Sequence, residues 1–76
     1  MFRRNKIDKE MVIYMVQALI RSSLGYNSRM IDDCVEGLNH FLRLYREDPS
    51  NDNLYMLQVW AQTLELEKEI IKHQIF

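Results

Sequence analysis

A single cysteine, Cys34, leaves this chain without any possible internal disulfide. No cluster of cysteine and histidine has the spacing of a structural zinc site. One proline and two glycines among 76 residues leave few places to turn, so long uninterrupted elements are expected. An excess of one charge is missing too. The net charge is −1, with acids and bases interspersed, so nothing in the overall balance draws the chain to a phosphate backbone. No run of about 20 apolar residues is available to cross a bilayer. Neither a glycine-rich phosphate loop nor a serine-based triad is visible, so no cofactor is expected and no catalytic residue is assigned.

What remains is a chain of ordinary globular composition, 47% hydrophobic and 28% charged, which argues against disorder. Its length suits one domain, residues 1–76. A core of this size rarely supplies more than roughly 3–5 kcal/mol of net stability. Without disulfide or metal, helix packing or a second subunit must make up the difference. The lone thiol fits a reducing, cytoplasmic setting. Phe2-Arg3-Arg4-Asn5-Lys6 ahead of an apolar run resembles the start of a secretion signal. Asp8 and Glu10 interrupt it, however, and no small-x-small cleavage site follows, so no leader is expected.

The apolar run is Met11 to Ile20, broken only by Gln17. Wound as a helix it is apolar around most of its circumference, with Glu10, Gln17 and Arg21 forming a narrow polar seam. A strand over Met11–Val16 is the rival, but only three of those residues are β-branched and no turn signal flanks them. The expected helix spans about 6–24, capped at Asn5 and closed by a left-handed Gly25. A second helix, 29–47, opens at Asn27-Ser28 and stops at Asp48-Pro49. Its stripe is Ile31, Cys34, Val35, Leu38, Phe41, Leu42 and Tyr45, opposite Arg29, Asp33, Glu36, His40, Arg43 and Glu47. Gly37 lies inside it at a cost of about 1 kcal/mol relative to alanine, which marks a close approach by another helix. A third helix, 52–74, starts within the loop Pro49-Ser50-Asn51-Asp52-Asn53, capped by Ser50, Asn51 or Asp52. Its main stripe is Leu57, Trp60, Ala61, Leu64, Ile71 and Ile75, beside a second apolar sector of Tyr55, Met56, Val59, Leu66 and Ile70. Glu65 with Lys68, and Glu69 with Lys72, are expected i, i+3 pairs.

The expected class is therefore all-α: a three-helix up-down-up bundle pairing into a homodimeric helical bundle. The second helix has one apolar stripe and one wet face. The first and third carry more apolar surface than one small bundle covers. The expected self- or partner-binding surface is Met11, Val12, Met15, Val16, Leu19, Ile20, Met56, Val59, Leu66 and Ile70. The function this implies is a non-enzymatic protein–protein interaction module: a regulator, inhibitor or assembly adaptor acting as a homodimer, whose partners are itself and another protein.

The alternative is a dimeric DNA-binding regulator using Arg3, Arg4, Lys6 and Lys9. The helix–Gly25–helix arrangement is similar in outline to helix-turn-helix proteins. Against it, Asp32, Asp33 and Glu36 would face a polyanion. Glu36 with His40, and Glu69 with His73, have the spacing of two-ligand metal pairs. They point away from the apolar stripes, and surface i, i+4 pairing is the simpler reading. Cys34 sits in the second stripe and is read as core rather than nucleophile.

Overall fold

The computed structural model describes residues 8–74 and is all-helical over them. The helices are α1 (Lys9–Ser22), α2 (Arg29–Glu47) and α3 (Asn51–Gln74). None is long and apolar enough to cross a membrane.

Local hydrogen bonding sets each boundary. Asp8, in extended geometry, caps α1, its carboxylate accepting the Glu10 amide at 3.1 Å. This places the start of α1 three residues beyond the Asn5 cap expected from sequence; Asn5 itself lies outside the described residues. The far end also differs from expectation. The Ser22 and Ser23 hydroxyls both donate to the Leu19 carbonyl, at 2.9 and 2.8 Å. The Ser23 amide donates to Ile20 O at 3.0 Å. The last carbonyls are thus satisfied without a left-handed residue, and Gly25 has no positive φ. Serine capping, not glycine geometry, ends α1.

In α2 the Ser28 hydroxyl accepts the Ile31 amide at 3.3 Å. Asp48, ahead of Pro49, has left helical geometry at φ −141° and ψ 90°. The Ser50 hydroxyl caps α3 by accepting the Asn53 amide at 3.2 Å. The Asn53 side-chain amide donates back to Asp48 O at 2.9 Å, locking the turn between α2 and α3.

The core is built on α2. Ile31, Cys34, Leu38, Leu42 and Tyr45 of α2 meet Leu57 and Leu64 of α3, while α1 adds only Val16. The most apolar stretch of the sequence is therefore not the organising element of the fold. α2 and α3 share the main interface. α1 lies chiefly on α2 and touches α3 only lightly. Trp60 of α3 packs over Gly37, where a β-carbon would stand 2.6 Å from its ring. This is the close approach that a glycine within α2 predicted. Lys68 does not pair with Glu65 as expected. It reaches α1 instead, donating to Ser22 Oγ at 3.0 Å and lying 5.6 Å above the Tyr26 ring.

The assembly is flat, with extents of 48 × 31 × 18 Å. Its radius of gyration is 13.9 Å, against about 11 Å for a compact chain of this length. Flatness exposes more surface per residue, and it fixes where apolar side chains are left uncovered.

Candidate interaction surfaces

Because α1 leans toward α2, a groove of 490 Å³ is left between α1 and α3. Val12, Met15, Val16 and Leu19 form one wall, and Leu54, Leu57 and Ala61 the other. It continues along Leu19 and Ala61 to a rim of Glu65, Leu66 and Glu69. The α1 ridge beside the groove is apolar and wet: Met11 is 56% exposed, Tyr14 71% and Met15 60%. Single exposed apolar residues are normal on any protein; here three of them, Met11 and, one helical turn on, Tyr14 and Met15, adjoin an apolar groove.

Of the ten residues singled out from sequence, six fall on this surface and four do not. Met11, Met15, Leu66 and Ile70 are exposed; Val12, Leu19, Ile20, Met56 and Val59 are half-buried; Val16 is core. Val12, Met15, Val16 and Leu19 line the groove, and Leu66 its continuation. Ile20 faces the opposite flank of α1. Met56, Val59 and Ile70 lie outside the groove. Sequence reasoning missed Tyr14 and Ala18 on α1 as lining residues, and the whole α3 wall of Leu54, Leu57, Gln58, Ala61 and Glu65. In a helix that is apolar nearly all round, Tyr14 carries no directional signal, and Ala18 is too small to stand out.

On its other flank α1 forms a second cleft, with α2, of 630 Å³. Ile20 and the buried Leu42 give it an apolar base, and the exposed Leu24 lines it together with Gln17, Asn39 and three arginines, Arg21, Arg43 and Arg46. Among the described residues no carboxylate lines it, and none lies within 4.0 Å of the three arginines. Three uncompensated guanidiniums at one cleft make a positive, bidentate-competent surface on a protein of almost zero net charge. Arg3, Arg4 and Lys6, the other basic candidates, lie outside the described residues, while Lys9 is the first residue of α1.

The remaining candidates for chemistry sit apart from one another. Among the described residues no three metal-ligating side chains come together. Glu69 meets His73 at 3.4 Å and Lys72 at 3.8 Å, all well exposed, where such pairs contribute little. His40 lies edge-on to Phe41.

Cys34 is 2% exposed. Burial, and then the nearby charges of Glu67 and Asp33, push its thiol above the ordinary value. The thiolate is therefore suppressed at neutral pH. A disulfide reagent is expected to modify Cys34 only at the rate of unfolding; rapid stoichiometric modification of the native protein would contradict its place in the core. The linked pH effect has a definite sign. Above the ordinary thiol value the unfolded chain ionises while the folded chain does not, so stability falls as pH rises from there toward the raised folded value.

No family model, no curated protein and no solved structure matches this chain.

Proposed function

We propose that this is a non-enzymatic, cytoplasmic helical interaction module, an up-down-up three-helix bundle that works as a homodimer in a regulatory, inhibitory or adaptor role. The observation that carries the reading is the wet apolar ridge of Met11, Tyr14 and Met15 beside an open apolar groove. Ridge and groove belong to the same face, so two copies related by a two-fold axis each offer what the other lacks. The occupant of the groove is α1 of the second copy. α1 leans away from α3 within its own subunit, which leaves the 490 Å³ groove open on the α3 side to the side chains of a facing helix. The ridge supplies the side chains to fill it. Binding of a further protein would follow the same helix-in-groove mode.

Sedimentation velocity on the wild type and on Met15→Asp tests this. Met15 is more than half exposed in one subunit, so a carboxylate there does little to the isolated fold. At an apolar contact an unpaired charge costs several kcal/mol. The wild type is expected at twice the chain mass at tens of micromolar, and Met15→Asp at the monomer mass with unchanged helicity. A wild type that stays monomeric would end the homodimer reading.

The nucleic-acid alternative draws less from the fold. Asp32, Asp33 and Glu36 are exposed at the start of α2, where a reading helix would meet phosphates. Titration with duplex DNA is expected to show no salt-sensitive binding.

A further inference from the structure

We propose that the arginine cleft between α1 and α2 receives Glu65 and Glu69 of a second copy. The inference rests on the homodimer reading and assigns its polar contacts. α1 carries the apolar groove on one flank, through Val12, Met15 and Leu19, and the arginine cleft on the other, through Gln17, Ile20 and Arg21. A copy of α1 lying in the groove therefore turns its arginine flank away from the resident α1. That side is the outer rim of the groove on α3, which carries Glu65, Leu66 and Glu69.

The chemistry of the two surfaces is complementary in both parts. The cleft sets three guanidiniums around the apolar side chains of Ile20 and Leu42, with the exposed Leu24 beside them. The rim sets two carboxylates around Leu66, which is 63% exposed. Among the described residues Glu65 has no basic partner within 4.0 Å. Glu69 holds only the loose, exposed contacts to Lys72 at 3.8 Å and His73 at 3.4 Å. These exchange readily for a forked guanidinium, which donates two parallel hydrogen bonds. A two-fold axis repeats the contact, so each subunit gives one cleft and one rim. The charges fix orientation and select the partner, while the apolar groove supplies most of the affinity.

Two charge-reversed proteins test it: Arg43→Glu with Arg46→Glu, and Glu65→Lys with Glu69→Lys. All four positions are exposed, and circular dichroism checks that each protein keeps its helices. By sedimentation velocity each reversed protein is expected to dimerise at least about tenfold more weakly than wild type. Mixed in equal amounts they should form a heterodimer, because both contacts are then again between opposite charges. The wild-type dimer should also weaken between about 0.05 M and about 0.5 M salt.

Reversed proteins that dimerise as tightly as wild type would remove this contact and leave the dimer standing. Weakened proteins that fail to recover on mixing would overturn the Glu65–Glu69 assignment, pointing to a foreign acidic segment or to another use of the arginines. A wild type monomeric at every salt concentration would remove the homodimer reading itself, and this inference with it.

Discussion

Gly37→Ala is expected to destabilise the protein, although alanine is the better helix former. Two effects oppose each other at this position. Replacing glycine inside α2 gains about 1 kcal/mol of helix propensity. The new β-carbon would stand 2.6 Å from Cδ2 and Cε2 of Trp60 and 2.9 Å from Cε3, well inside the roughly 3.5–4.0 Å at which carbon atoms sit in contact. The obstacle is a rigid bicyclic ring packed against the core, not the far end of a flexible chain. Its Nε1 is already buried without a hydrogen-bond partner, so the ring has no polar anchor to preserve, but it has to shift as a unit. Overpacking of this kind costs about 1–3 kcal/mol and, with severe overlap, exceeds the propensity gain. A net loss of about 1–2 kcal/mol corresponds to a melting temperature lower by roughly 4–16 °C in a domain this small. The sign should invert when the ring is removed. In a Trp60→Leu background, Gly37→Ala meets no obstacle and should stabilise. Gly25→Ala supplies the control, since its β-carbon would meet nothing within 4 Å and its φ is not positive. It is expected to raise stability by about 0.4–1 kcal/mol through the unfolded chain. A Gly37→Ala protein more stable than wild type would mean that the ring yields freely and that the α2–α3 contact is looser than it looks.

The same pair shows how far the residues alone can be read. A glycine inside a helical stripe signals that something comes close, but not what. Trp60 lies 23 positions further on, and only the α2–α3 packing selects it. Where the period is clean and the caps are unambiguous, local chemistry suffices: Ser28, Asp48 and Pro49 bound α2, and its stripe is its buried face. Where the sequence is apolar all round, periodicity carries no direction. In α1 it could not say that Val16 turns inward while Tyr14 and Met15 face water. It also encouraged a helix carried past Ser22 and Ser23, because their capping of the Leu19 carbonyl is a tertiary-independent detail that an apolar pattern overlooks. The arginine cleft was the least legible feature. Arg43 is an ordinary wet-face residue of α2, and Arg21 an ordinary polar residue of α1. Their meeting depends on α1 leaning toward α2, which no local signal records. Lys68 makes the same point in reverse: a helical spacing invites a pair with Glu65, and Ser22 at the end of α1 and Tyr26 in the connection to α2 take it instead.

Leu64→Ala is expected to produce the largest loss, one whose size depends on protein concentration. Leu64 is fully buried between α3 and the α2 stripe. Truncating such a side chain costs about 2–5 kcal/mol, partly as lost transfer energy and partly as the cavity left behind. A chain of this length rarely holds more than roughly 3–5 kcal/mol in total. The isolated variant subunit should therefore lie near or past its unfolding midpoint at room temperature. Association changes this by mass action, because a partner that binds only the folded chain draws the population back. If α1 of one copy fills the groove of the other, Leu64→Ala should lose most of its helical signal below micromolar concentration and regain it at tens of micromolar. Adding Met15→Asp, which removes the contact while sparing the subunit core, should abolish the recovery and leave the variant unfolded throughout. A melt of Leu64→Ala that is the same over a hundredfold range of concentration would show that folding and association are separate in this protein. The apolar ridge of α1 would then owe its exposure to something other than a second copy.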